Sequence, residues 1–236
     1  MGAATLLEGP VGRGLLRFVL PILAGNILQQ LYNSVDAMII GRYVGEAALG
    51  AIGASQPIIS IVLALVIGLS IGMEILLGVY IGQRDGQKAK QVVDTMFTAV
   101  MLLAVVMAAA GWFGTPAMLR GMRTQPEHME AAAAYLRIIF LGLPGITGYN
   151  TMTGAIRASG DSRAPLLFLA VCTAANLALD LLAVRALGMG VEGAAWATVL
   201  AQMLSFLLIL GYANRRPHGL RYNVRDLDLS WHMLLR

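Results

Sequence analysis

The chain has 236 residues, 58% hydrophobic and only 13% charged, about half the charge of an ordinary soluble domain; with a mean hydropathy of +0.72, this excludes a water-soluble globule. The net charge of +4 suits arginine-rich cytoplasmic loops on a membrane protein better than a nucleic-acid binder. A single cysteine, Cys172, excludes a disulfide framework and a thiolate metal site.

Six apolar segments follow one another. The first, Leu15–Ile40, is 26 residues long. At about 1.5 Å per residue it can cross roughly 30 Å of hydrocarbon with some tilt. It is too long for a signal-peptide core and lacks a cleavage site, so it reads as a retained helix. Yet it carries Asn26, Gln29, Gln30, Asn33 and Asp36. Spacings of three and four put Asn26, Gln29 or Gln30, Asn33 and Asp36 on one helical face. A carboxylate in hydrocarbon costs at least ~2.5 kcal/mol, so this face is expected to meet protein or a water-filled cavity. The plainer alternative is a polar seam that glues helices together.

The second segment, Leu49–Tyr80, has Pro57 near its start and glycines at 68, 72 and 78. Glu74 lies six residues before its end, either as a gate or as a carboxylate snorkelling to the interface. The third is Val92–Phe113. The fourth is Ala131–Met152, broken by Gly142, Pro144, Gly145 and Gly148. The fifth, Ala164–Ala186, carries Asn176 and Asp180 one turn apart on one face. Asp36 and Asp180 each sit roughly 6–9 Å from the same end of their segments, so two carboxylates on different helices share one level. The alternative for Asp180 is an ion pair with Arg185. The sixth segment is Val191–Tyr212.

These segments predict an all-α polytopic membrane protein of six transmembrane helices. Residues 1–212 form the membrane lobe, and residues 213–236 form a basic tail or the start of an interlobe linker. In that tail, Arg215, Arg216, Arg221 and Arg225 suit anionic headgroups. Leu227, Leu229, Trp231, Leu234 and Leu235 could lie at the interface. With the N-terminus inside, 12 of the 17 lysines and arginines fall on the cytoplasmic side and 5 on the other. That bias places both termini in the cytoplasm. His128, His218 and His232 fall outside the apolar runs and are expected to be solvated loop residues. No hydrolase triad, zinc cluster or Walker loop stands out. The glycine-bearing loops 82–86 and 154–161 follow no strand, and are expected to turn helices rather than cradle phosphate. Thirteen methionines offer adaptable surface for varied ligands, although core filling is the commoner role.

Several stretches then carry a family resemblance: LQQLYNSVDAMIIGRYVGEAALGAIG after Pro21, YIGQRDGQKAK, GAIRASGDSRAP, NLALD, and GMGVEGAAWATV. Their order and spacing across nearly the whole chain resemble the N-terminal lobe of a multidrug and toxic compound extrusion (MATE) transporter, nearest the DinF-like branch. The resemblance implies two six-helix lobes around a central cavity. It implies exchange of a proton or sodium ion for a small amphipathic, often cationic compound across the plasma (inner) membrane, with no cofactor and no catalysis. The branch's helix 1 aspartate and helix 5 Asn-x-x-x-Asp pair match Asp36, Asn176 and Asp180. The polar face adds Asn33 and Gln29 to this cation and substrate site. Glu74 and Arg185 depart from the pattern, which favours small or apolar residues there.

A full member of the family has twelve helices, so this chain is expected to be a fragment, a truncated product, or a half-transporter that pairs with a second six-helix lobe. Two other readings stand beside export. A lipid-linked oligosaccharide flippase of the same superfamily would want an arginine-rich cavity, and only Arg137 and Arg185 lie near the spans. A non-transporting membrane partner subunit would use the polar face for binding.

The charge bias generates a direct test of topology. Cysteines introduced at 42 and 121 should react with a membrane-impermeant maleimide from outside the cell. Cysteines at 86 and 160 should not react. The reverse pattern would overturn the orientation and the shared depth of Asp36 and Asp180.

Overall fold

Each apolar run forms a helix, and all but the fifth extend past both ends of their run. The computed structural model describes residues 11–215, 222 and 227–230. Its helices are α1 (Val11–Tyr43), α2 (Glu46–Gly82), α3 (Gly86–Gly121), α4 (Pro126–Ala158), α5 (Arg163–Asp180) and α6 (Gly190–Asn214). A π-helical turn, Leu181–Ala186, continues α5. All six are long and apolar enough to cross a membrane, and the chain is a multi-pass membrane protein.

The helices overrun because their ends are set by backbone capping, which hydropathy does not report. Asp85 Oδ1 accepts the Lys88 N–H at 3.0 Å and starts α3. These hydrogen bonds hold the Asp85 carboxyl below the usual carboxylate range. Asp161 Oδ1 accepts the N–H groups of Arg163 and Ala164, each at 3.1 Å, and starts α5. Pro126 opens α4 at a position where no N–H is needed. Both glycine-bearing loops thus end one helix and cap the next.

The six traverses bring residues 11 and 215 to one end of the bundle, called here the base; the Tyr43–Glu46 turn lies at the rim. α4 is the hub and packs along α2, α3 and α6, whereas α1 lies chiefly against α5. Towards the base, Met73, Leu77, Val93, Phe97, Met152 and Ile209 form one apolar cluster. Towards the rim, Ile40, Tyr135, Val184, Ala195 and Val199 form another, joining α1, α4, the π turn and α6.

The glycines of α4 do not break it, contrary to the expectation from sequence. They let α6 come close instead. A Cβ at Gly142 would run into the Val199 side chain, and one at Gly148 would lie 2.6 Å from the Phe206 ring. The missing side chains are the shape complement of two bulky ones. His128 is also not a loop residue. It lies in the first turn of α4, half-buried, with its ring against Gly50. In the tail, α6 runs to Asn214, and residues 227–230 have no regular secondary structure. Arg216, Arg221, Arg225, Trp231, Leu234, Leu235, His218 and His232 lie outside the described residues.

Gly142→Ala should therefore destabilise the protein by about 1–3 kcal/mol, because the β-branched Val199 cannot swing clear. Gly68→Ala, where no atom lies within 4 Å of the new methyl, should be neutral or slightly stabilising. Thermal unfolding in detergent measures both. Equal midpoints would show that α4 and α6 do not depend on this approach.

Candidate functional site

The polar face of α1 lines a cavity. Asn26, Gln29, Asn33 and Asp36 all border a space of about 780 Å³ walled by α1, α2, α4, α5 and α6. Gln30 stays off the wall. Its side chain accepts from Asn33 Nδ2 at 3.3 Å, and Gln29 Nε2 donates to Asn33 Oδ1 at 3.4 Å. The α1 amides thus order one another along the wall, one turn apart. The rest of the lining is largely aliphatic, with Ile22, Ile52, Ile59, Leu63 and Leu169 among its members, together with three tyrosines, Tyr32, Tyr135 and Tyr149. No methionine lines it among the described residues. Met73 and Met152 fill the core instead.

The shared level of the two carboxyls becomes contact. Asp36 reaches from α1 to within hydrogen-bonding range of the Asp180 carboxyl. Asp180 is fully buried and lies behind Asp36, off the cavity wall, at the residue where the α-helix gives way to the π turn. The wider turn reaches Leu187, whose N–H donates to the Leu182 carbonyl at 2.9 Å. π-helical turns recur at functional sites because they shift side chains out of helical register.

Asn176, also buried, supports the pair from below. With its amide oriented to suit its neighbours, Nδ2 donates to Asp180 Oδ2 at 2.7 Å and Oδ1 accepts the Thr198 N–H at 3.1 Å. The Thr198 side chain also lies near Tyr32, one turn before Asp36 on α1, and both residues line the cavity. Tyr135 of α4 flanks both carboxyls. A polar cluster thus spans α1, α6 and α5. Within it, Asp36 Oδ1 and Asp180 Oδ1 are sealed from solvent and receive no hydrogen bond from the described residues. A buried acceptor left this way is costly, and a proton or small cation bound there would relieve it.

No arginine among the described residues relieves them. Arg185 does not pair with Asp180; its guanidinium lies over the Tyr43 ring at 5.6 Å. Arg137 lies similarly against Trp112 at 6.0 Å. Glu74 does not line the cavity either. It is gripped by Arg157 of α4, with Nη2 to Oε2 at 2.7 Å and Nε to Oε1 at 3.1 Å. Arg157 does reach the lining, towards the base, and is its one guanidinium among the described residues. The dicarboxyl pair stands towards the rim, and a neutralised ion pair towards the base. Sequence reasoning singled out neither Tyr32 nor Thr198. A tyrosine one turn from Asp36 was the available signal for the first, while Thr198 is brought in only by the packing of α6.

The family model MatE matches residues 21–182. The probable multidrug resistance protein YoeA of Bacillus subtilis is 34% identical over 219 residues, covering 90% of this chain and 47% of that protein. A protein named FAD transporter in Shewanella oneidensis is 26% identical, covering 97% of this chain and 52% of its own length. A solved outward-facing MATE family multidrug resistance transporter of the MOP superfamily is 28% identical and superposes with a TM-score of 0.90, over 98% of this chain and 51% of that one. The chain spans about half the length of the relatives it matches.

The Glu74–Arg157 pair can be tested against a snorkelling Glu74. Arg157→Leu would leave a part-buried carboxylate without its partner and should lower the thermal midpoint more than Glu74→Leu combined with Arg157→Leu does. If Arg157→Leu alone is neutral, Glu74 is served by water and the pair holds nothing together.

Proposed function

This chain belongs to the MatE family, whose members are transporters, and from that premise we propose that it acts as one six-helix lobe of a cation-coupled drug exporter. A second six-helix lobe would complete the central cavity. Substrates would be small amphipathic, often cationic compounds, exchanged for a proton or sodium ion across the plasma (inner) membrane with both termini in the cytoplasm. The observation that carries this reading is the Asp36–Asp180 pair at the end of a polar stripe, with Asp36 on the cavity wall and Asp180 behind it.

The wall suits such a substrate. Aliphatic side chains receive its apolar body, the α1 amides offer adaptable hydrogen bonds, and Asp36 offers the countercharge. The one lining guanidinium is already neutralised by Glu74, so the charge of the wall favours a cation over an anion. The same feature gives a flippase for anionic lipid-linked sugars no arginine-rich cavity to work with.

Exchange follows from competition. A cationic substrate and a coupling cation both seek the same carboxyl pair, so one displaces the other. A proton between the carboxyls removes a charge that is worth several kcal/mol at membrane depth. A term of that size is enough to bias a helix between two packings. α1 is the helix in a position to respond. It is held mainly along α5, and Pro21 removes one of its backbone N–H donors.

In a complete two-lobe protein, Asp36→Asn should abolish coupled efflux of ethidium or norfloxacin at matched expression. Asp180→Asn and Asn176→Ala should weaken it, because they remove the buried partner and its orienting amide. Wild-type efflux by Asp36→Asn on both sides of neutral pH would leave the aspartate a structural role only.

A further inference from the structure

Away from the cavity, the first turns of α3 present four polar side chains on one face: Gln91, Asp94, Thr95 and Thr98, at helical spacing. Asp94 is fully buried, which is unusual for a carboxylate near the end of a bundle. Lys90 Nζ reaches its Oδ2 at 2.7 Å. The same oxygen accepts the backbone N–H of Asp228 at 2.9 Å. Thr95 Oγ1 accepts the backbone N–H of Ser230, also at 2.9 Å. Gln91 Nε2 donates back to the Asp228 carboxylate at 3.1 and 3.3 Å. Two N–H groups, two residues apart on an irregular piece of chain, are thus read by adjacent side chains of a helix.

Tyr222 makes a second point of attachment. Its ring meets Phe97 of α3 edge-on at 4.5 Å. Its hydroxyl lies 3.1 Å from Thr98 Oγ1, and its N–H donates to Asn214 Oδ1, on the last residue of α6, at 2.9 Å. α3 and α6 share no extensive backbone approach of their own. Phe97 and Phe206 meet with ring centroids 6.2 Å apart, and Tyr222 packs against the same apolar cluster.

We infer that this face of α3 is the anchor for the segment that follows α6, with Asp94 and Thr95 as its clasp and Tyr222 as a plug tying the base ends of α3 and α6 together. Tyr222 and residues 227–230 are therefore placed by α3, to which they are bonded. The physical driver is Asp94. Its Oδ1 receives no hydrogen bond from the described residues, so the carboxylate depends on Oδ2, which is met by Lys90 and by the Asp228 N–H of the segment. This inference stands apart from the cavity and the carboxyl pair, so it survives or fails independently of the transport reading.

Amide hydrogen exchange read by mass spectrometry on the full chain in lipid nanodiscs tests it. The peptide containing 227–230 should exchange at least about tenfold more slowly than the same peptide free in solution. Thr95→Val, which keeps the shape and removes the acceptor, should release part of that protection, and Asp94→Ala should release most of it. Thr95→Val combined with Tyr222→Ala should also speed exchange in peptides at the base of α3 and α6 while leaving rim peptides of α3 unchanged. Exchange of the wild-type 227–230 peptide at the free rate would overturn the anchor. Protection unchanged by Thr95→Val would overturn the clasp even if Asp94→Ala fails to fold. An unchanged α6 base would overturn the tie.

Discussion

Two carboxyl groups from different helices share one hydrogen-bonding site inside a bundle built to sit in hydrocarbon. Asp36 and Asp180 would each be expensive alone there, and side by side as two anions they would be worse. The surrounding structure answers that cost. Asn176 donates to Asp180 and is itself held by the Thr198 N–H, and the π turn begins immediately after Asp180. The remaining bare oxygens are the feature on which the proposed proton or cation site rests.

The bundle divides into a rigid part and a looser one. α4 is enclosed by α2, α3 and α6, and its glycines are the moulds of Val199 and Phe206. Close packing of that kind has few alternative arrangements. α1 has no such enclosure. It leans on α5, and large apolar residues such as Leu16, Leu23, Ile27 and Leu31 are exposed. The carboxyl pair joins this helix to α5, and the proposed coupling would act there.

Towards the base the charges are settled. Glu74 and Arg157 clasp α2 to α4, one turn from the Ser70–Thr151 hydrogen bond at 3.1 Å. Asp161 caps α5 and accepts the Tyr212 hydroxyl at 2.8 Å, drawing α6 to the same loop. Asp94 is held by Lys90 and by the segment after α6. Each of these carboxylates is met by a cation or a donor, although Asp94 Oδ1, like Asp36 Oδ1 and Asp180 Oδ1, is buried and receives no hydrogen bond from the described residues. The base is thus fastened by ion pairs and hydrogen bonds between helices.

Residue spacing alone determined six spans, the polar face of α1 and the common depth of Asp36 and Asp180, because apolar length and helical period are local quantities. It also marked Asn176, one turn from Asp180. It misread the glycines of α4 as breaks, since a glycine that ends a helix and one that admits a neighbouring side chain look alike until the neighbour is known. It left Glu74 between a gate and a snorkelling carboxylate, and Asp180 open to Arg185, because ion pairs join residues 83 positions apart as readily as near ones. The overall membrane character and the inventory of buried charge were therefore written in the order of residues. Which carboxylate found an arginine, which found another carboxylate, and where the segment after α6 was fastened were decided only by the packing of helices, because a desolvated charge takes whatever donor the tertiary structure brings within reach.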